Sequence, residues 1–237
     1  MTKAVVWLVA GLTLATIVFS VAPGLDIAVS RLFAEDARFP IADNTLIEAV
    51  RKGLYSVEDA AGILALLTAA LAHHLRRDVL RQAARVWLFQ GLVFVAGPLL
   101  LVNGILKPLW SRPRPFRITA FGGAEPFQPI YQIAGTCTHN CSFTSGEMAG
   151  ATALTIMAVM LARANRDRLA GLYSLALGLA ILPMPFTAWQ RIAAGRHFLS
   201  DITFSALCVA LIAVLLAKAM RLNRRTPPVD SIRDSPY

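Results

Sequence analysis

The chain is 237 residues long, 56% hydrophobic and only 16% charged, with a mean hydropathy of +0.58. So apolar a composition excludes an ordinary soluble domain of this length. The formal net charge of +9 and a pI of about 10.2 would fit nucleic-acid binding in a soluble protein; here the cations sit in short loops and tails beside apolar runs, so membrane orientation accounts for them and no nucleic acid is implied.

Apolar stretches of spanning length, roughly 17–25 residues, lie near 4–21, 54–72, 86–106, 148–162, 169–186 and 199–217. The first, behind Lys3, resembles a secretory signal, but Pro23 directly after Ala22 disfavours cleavage, so the stretch is retained as a membrane helix. The loop 23–53 balances Arg31, Arg38, Arg51 and Lys52 with Asp26, Glu35, Asp36, Asp43 and Glu48. In contrast, Arg76, Arg77, Arg81 and Arg85 follow the second stretch, Arg163, Arg166 and Arg168 the fourth, and Lys218, Arg221, Arg224 and Arg225 the sixth. These alternate connections are therefore cytoplasmic. The expected fold is all-α: a polytopic membrane protein, a six-transmembrane-helix bundle in one domain over 1–237, with the bundle at 1–220 and a polar cytoplasmic tail at 221–237.

The chemistry-bearing residues fall in the non-cytoplasmic loops or at their edges. Lys107 ends the third stretch, and the prolines of Trp110-Ser111-Arg112-Pro113-Arg114-Pro115 stiffen an extended turn that aims Lys107 and Arg114 at one place. Cations at membrane helix ends also simply snorkel. Thr144-Ser145-Gly146-Glu147 opens the fourth helix; free N–H groups and the helix dipole there favour an anion, while Thr144 with Glu147 also fits a capping box. His197 and Asp201 are spaced to share a helical face, the carboxylate taking one ring N–H and leaving the other nitrogen as base or nucleophile. Arg191 lies in the loop before them, with Gly195 permitting a turn. Cys137 and Cys141 flank His139; in an oxidising periplasm a short-loop disulfide is the leading reading, since a Cys-x-His-x-Cys metal site has an unusual spacing for zinc and no evident fourth ligand.

Other residues have plainer readings. Cys208 packs within the sixth stretch, and His73 and His74 are interfacial on the cytoplasmic side. Trp110, Trp189, Phe116, Phe121, Phe127 and Tyr131 fall where aromatic belts form. Arg112, Arg117 and Arg196 are either solvated or in contact with a polyanionic headgroup. Away from the site and the helix ends, no charged residue marks a path through the spans, which argues against a transporter.

Taken jointly, Lys107 with Arg114-Pro115, Ser145-Gly146, and Arg191 with His197 and Asp201 resemble the three signature motifs of the type 2 phosphatidic acid phosphatase superfamily. The resemblance implies that His197 attacks phosphorus to form a phosphohistidine and that Asp201 orients it. It further implies that Lys107, Arg114, Ser145, the Gly146 amide and Arg191 bind the phosphoryl oxygens, with no cofactor and no metal. Two positions depart from the family pattern: Gln190 replaces a serine beside Arg191, and Glu147 replaces the histidine that protonates the leaving oxygen. Glu147 is expected to take over as the acid when phosphate is bound, giving an acid-shifted pH optimum.

The run Cys141 to Glu147 is similar to the branch that includes bacterial lipid A phosphatases. The implied partners are the membrane and an anionic phospholipid or lipid A substrate, cleaved at the periplasmic ends of helices in the bacterial inner membrane. Undecaprenyl diphosphate, phosphatidylglycerol phosphate, phosphoryl transfer to a second lipid, and non-catalytic lipid binding or transport are the alternatives. Oligomeric state is open.

Overall fold

The computed structural model describes residues 2–222; Arg224, Arg225 and the rest of the tail beyond 222 lie outside the described residues. Among these, six helices are long and apolar enough to cross a membrane, and no β-strand forms beyond three isolated bridges. Helix α1 (Thr2–Val21) buries only Ala15 and Phe19, so most of its apolar surface is left for lipid. After Ala22-Pro23, the short α2 (Gly24–Arg31) turns Asp26 and Ser30 inward.

Helix α3 (Thr45–Leu75) starts nine residues before the apolar stretch at 54–72. Asn44 caps it, its Oδ1 accepting from the Ile47 N–H at 3.0 Å, and Arg51 pairs with Glu48 one turn away. These local interactions carry the helix past the apolar limit that hydropathy detects. Its inner face of Ala61, Gly62, Ala65, Ala69 and Ala72 is small enough for close packing on α4 (Ala84–Phe94).

From α4 the chain continues unbroken through a π-helical stretch, Val95–Leu106, into α5 (Lys107–Trp110). Pro98 has no N–H to give and crowds the preceding turn of a regular α-helix, so wider winding there is a physical response to it. Asn103 Nδ2 donates to the Pro98 carbonyl at 2.8 Å. Helix α6 (Gly146–Ala164) is the central one, touching α3, α4, the π stretch, α8 (Tyr173–Ile181), α9 (Pro183–Ala193) and α10 (Leu199–Ala219). The fifth crossing also includes the short α7 (Arg166–Leu169), and it runs to Ala193 rather than stopping near 186, because Gln190 and Arg191 turn inward.

The α3–α4 and α6–α7 connections meet at one end of the bundle, where Arg81 pairs with Asp167 at 3.4 Å and Asn165 Nδ2 donates to the Leu80 carbonyl at 3.0 Å. At the other end, the long loop 111–145 folds over the helix ends. Trp110 Nε1 donates to the Ile130 carbonyl at 2.6 Å, and the Ser142 N–H to the Arg112 carbonyl at 2.8 Å. Phe121 is buried edge-on to Phe39, and Phe127 packs edge-on to Phe198. These two rings thus form a small core under the loop, correcting the belt reading of their positions.

Candidate active site

Four segments converge at the loop-covered end. The π stretch delivers Asn103 and Lys107 to the start of α6. A Cβ on Gly146 would lie 3.0 Å from Asn103 Oδ1 and 3.2 Å from Lys107 Nζ, so the close approach of that ammonium requires glycine. Ser145, and not Thr144, caps α6, its Oγ accepting from the Met148 N–H at 3.2 Å. Because that bond uses a lone pair, the Ser145 hydroxyl proton stays available. The Ser205 hydroxyl donates to the Ser145 carbonyl at 2.6 Å and fixes the cap against α10.

Glu147 does not close a capping box. Its Oε1 accepts from Arg51 Nη1 and its Oε2 from Arg191 Nη1, each at 3.1 Å. Arg191 occupies the last turn of α9 instead of a loop, and Gln190 Oε1 accepts from the same Nη1 at 3.2 Å. Arg114 is held from the loop side, its guanidinium donating to both the carbonyl and the side-chain oxygen of Asn140. Together with Glu48 and Arg196, these groups line a polar cavity of about 270 Å³. Arg51, Glu48 and Asn140 carried no motif signal; Arg51 showed only as one cation in a charge-balanced loop.

His197 precedes α10, 2% exposed, after a turn in which Gly195 takes φ +63°. Its N–H donates to the Arg191 carbonyl at 3.1 Å, so the end of α9 sets its position. Nδ1 lies 2.8 Å from the Ser142 carbonyl oxygen. A carbonyl only accepts, so Nδ1 carries the proton and Nε2 keeps its lone pair. Asp201 Oδ2 is 3.7 Å from Nδ1, beyond hydrogen-bond range, which corrects the direct His197–Asp201 bond expected from the spacing. The carboxylate is otherwise engaged: Oδ2 accepts from the Phe198 N–H at 2.8 Å and from the Ser142 hydroxyl, and Oδ1 from Arg112 Nη1 at 2.7 Å. Ser142 therefore links the two, its hydroxyl on Asp201 and its carbonyl on His197.

Arg112 departs furthest from its sequence reading. It is fully buried, bridges Asp201 and Asp26 at 2.7 and 2.8 Å, and donates to Ser200 Oγ and the Gln128 carbonyl. Its guanidinium also stacks on Phe198, 4.3 Å from the ring centroid. Burial holds the Asp26 carboxyl above its usual range, against the pull of Arg112. The sulfurs of Cys137 and Cys141 are joined immediately before Ser142.

The PAP2 superfamily pattern matches residues 85–225, more than half of the chain. The chain belongs to the PAP2 superfamily. It is similar to the lipid A 4'-phosphatase of Rhizobium leguminosarum, with 31% identity over 84% of this chain and 89% of that protein. It is also similar to the lipid A 4'-phosphatases of Rhizobium etli, 40% identical over 51% of this chain and 45% of that protein, and of Francisella tularensis subsp. novicida, 33% identical over 48% of each. No solved structure matches this chain. Within the family pattern, Lys107, Arg114, Ser145, Gly146, Arg191, His197 and Asp201 all come to one end of the bundle, and Glu147 stands among them as an ion-pair partner.

Two outcomes follow for this PAP2 site. Arg112→Met leaves two buried carboxylates without their cation, and should cost about 3–5 kcal/mol of stability, read by denaturant unfolding in detergent. Burial drives His197 down from 6.5 to about 3, with Asp201 opposing that shift and Arg114 and Arg191 adding to it. Its lone pair therefore survives acidification, and kcat/KM should show no His197 limb between about pH 5 and 8 once substrate ionisation is allowed for. By the same shift the folded state binds fewer protons than the unfolded chain from about 6.5 down to about 3, so this residue's contribution lowers stability as pH falls through that window.

Proposed function

We propose that this PAP2 protein is an integral membrane lipid phosphatase that removes a phosphate from lipid A at the periplasmic face of the bacterial inner membrane. Family membership and three relatives with one shared printed name support the activity and the substrate. The observation that carries the mechanism is His197, buried, with Nδ1 committed to a carbonyl beside a cluster of cations. The separation of the site from the basic α3–α4 and α6–α7 connections supports the periplasmic placement. One membrane domain carries the whole reaction.

In the proposed reaction, Lys107, Arg114, Arg191, the Ser145 hydroxyl and the Gly146 amide hold the phosphoryl oxygens and stabilise the charge spread over them in transfer. The Nε2 lone pair of His197 forms a bond to phosphorus as the ester P–O bond breaks, and the leaving oxygen takes a proton. Water then attacks the phosphohistidine, the P–N bond breaks, and orthophosphate departs with His197 neutral again. Asp201 and Ser142 keep the ring in place throughout. The fixed cations supply the charge neutralisation, so no metal or other cofactor takes part.

The test is phosphate release by sealed spheroplasts given lipid A, polyprenyl diphosphate or phosphatidylglycerol phosphate, with His197→Ala as control. Lipid A should turn over without membrane rupture and in the presence of chelator, with labelled phosphate appearing as free orthophosphate. His197→Ala should lose about a thousandfold or more. Label in lipid would mean a transferase, and binding of all three lipids without release would mean a non-catalytic protein.

Glu147 has a definite part in this scheme. An incoming phosphate displaces its carboxylate from Arg191, and the freed group, its proton affinity raised by the substrate's charge, takes up a proton from water and passes it to the leaving oxygen. Glu147→Gln should lower kcat by about 10²–10⁴-fold and abolish the acid-shifted optimum. Full activity with an unchanged pH profile would leave Glu147 only its ion pairs with Arg51 and Arg191.

A further inference from the structure

Glu58 lies inside a membrane-crossing helix, the second stretch, contrary to the expectation that charge is confined to the site and the helix ends. It is 3% exposed, and its Oε2 has no hydrogen-bond partner. None of the described residues pairs a cation with it. An ionisable side chain at such depth is costly and marks a functional position by default, and a buried oxygen without a donor is rare.

Its surroundings supply a ligand-sized space. Glu58 lines a groove of about 530 Å³ between α3 and the π stretch, with Leu66, Phe94 and Leu99 as its apolar wall and Tyr55 and Asp59 beside Glu58. α3 and α4 fit tightly where Gly62 meets Phe94, and the groove lies where the π winding around Pro98 replaces regular helix. One side of it is built on α6, by Gly146 and Gly150. A Cβ on Gly150 would come within 2.3 Å of Glu58 Oε2, as one on Gly146 would crowd Lys107 Nζ at 3.2 Å. The two glycines are one turn apart, about 6 Å along the helix. The groove therefore joins the helix start at Gly146 to the buried Glu58 carboxyl one turn away, with Asn103 at the junction.

We propose that this groove is the subsite for the acylated sugar next to the scissile phosphate, with Glu58 receiving the amide N–H of that sugar and the apolar walls receiving its acyl chain. The proposal rests on the lipid A reading and deepens it. A phosphate at Gly146 and a donor one sugar ring away is the chemistry of an N-acylated glycolipid. A polyprenyl chain offers no such donor, and a glycerophospholipid offers no amide.

The experiment compares kcat and KM for lipid A and for phosphatidylglycerol phosphate in mixed micelles. Glu58→Leu should raise KM for lipid A about tenfold with a smaller effect on kcat, so that preference for lipid A over phosphatidylglycerol phosphate falls by about the same factor. Glu58→Gln, which keeps a carbonyl acceptor, should recover most of that preference. Ile63→Trp, at a rim position 61% exposed, fills the groove without touching the buried carboxyl and should also erode the preference. Equal losses on both lipids, or an unmoved preference in Glu58→Leu and Ile63→Trp, would overturn the assignment. Wild-type turnover of lipid A decides the reading beneath it, so a failure of the groove alone shows as a wild-type enzyme active on lipid A with an unmoved ratio in the variants.

Discussion

Everything at the loop-covered end depends on one buried guanidinium. Arg112 comes from the turn after α5 and meets Asp26 from α2 and Asp201 from α10, so a single cation ties together three segments distant in sequence. Removing any one partner strands a charge without water to compensate it, and for that reason the three form a unit. The network reaches the reacting group through Ser142, which Asp201 holds by its hydroxyl and which holds His197 by its carbonyl. Orientation of the imidazole is thus set by a loop, and the loop is set by a buried ion cluster. The disulfide joining Cys137 to Cys141 restrains the same segment one residue before Ser142.

The guanidiniums of the polar cavity are balanced by its own carboxylates. Glu147 lies across Arg191 and Arg51, and Arg51 in turn holds Glu48, so the first turns of α3 close a chain of alternating charge around the cavity. Such an arrangement answers the problem of concentrating guanidinium groups within a few ångströms in a poorly solvated place. Arg114 makes no ion pair among the described residues and is steadied by the carbonyl and side chain of Asn140.

Much of this was legible in the sequence, and the parts that were not share a cause. The six crossings show as apolar runs, because lipid demands the same composition along each. The motif residues show because each family motif is local: Lys107 with Arg114, Ser145 with Gly146, Arg191 with His197 and Asp201. Arg112 did not show, since burial of an arginine depends on two carboxylates whose approach only the packed fold creates. Neither did Ser142 as a relay, because its decisive atom is a backbone carbonyl. Hydropathy also misplaced the ends of α3 and α9, where polar side chains prolong the helix by pairing inward or with each other. Asp201 was read as a direct partner of His197 from spacing alone, and its position in the first turn of α10 gives it nearer donors.

The two glutamates beside α6 divide the site by environment. Glu147 sits between two guanidiniums, and Glu58 lies beside Asp59 and apolar side chains, with no cation paired to it among the described residues. A ligand offering only anionic oxygens would satisfy the first environment and leave the second without a donor. One carrying phosphate at one point and neutral donors a ring's width away satisfies both, and its acyl chain continues into the lipid-facing groove without crossing a polar boundary. Gly146 and Gly150 make that continuity possible, because any side chain at either position would separate the cation-rich pocket from the carboxyl below it. Glu147 and Glu58 therefore belong to a single gradient along α6, from a guanidinium-paired carboxylate at the helix start to an unpaired carboxyl one turn deeper.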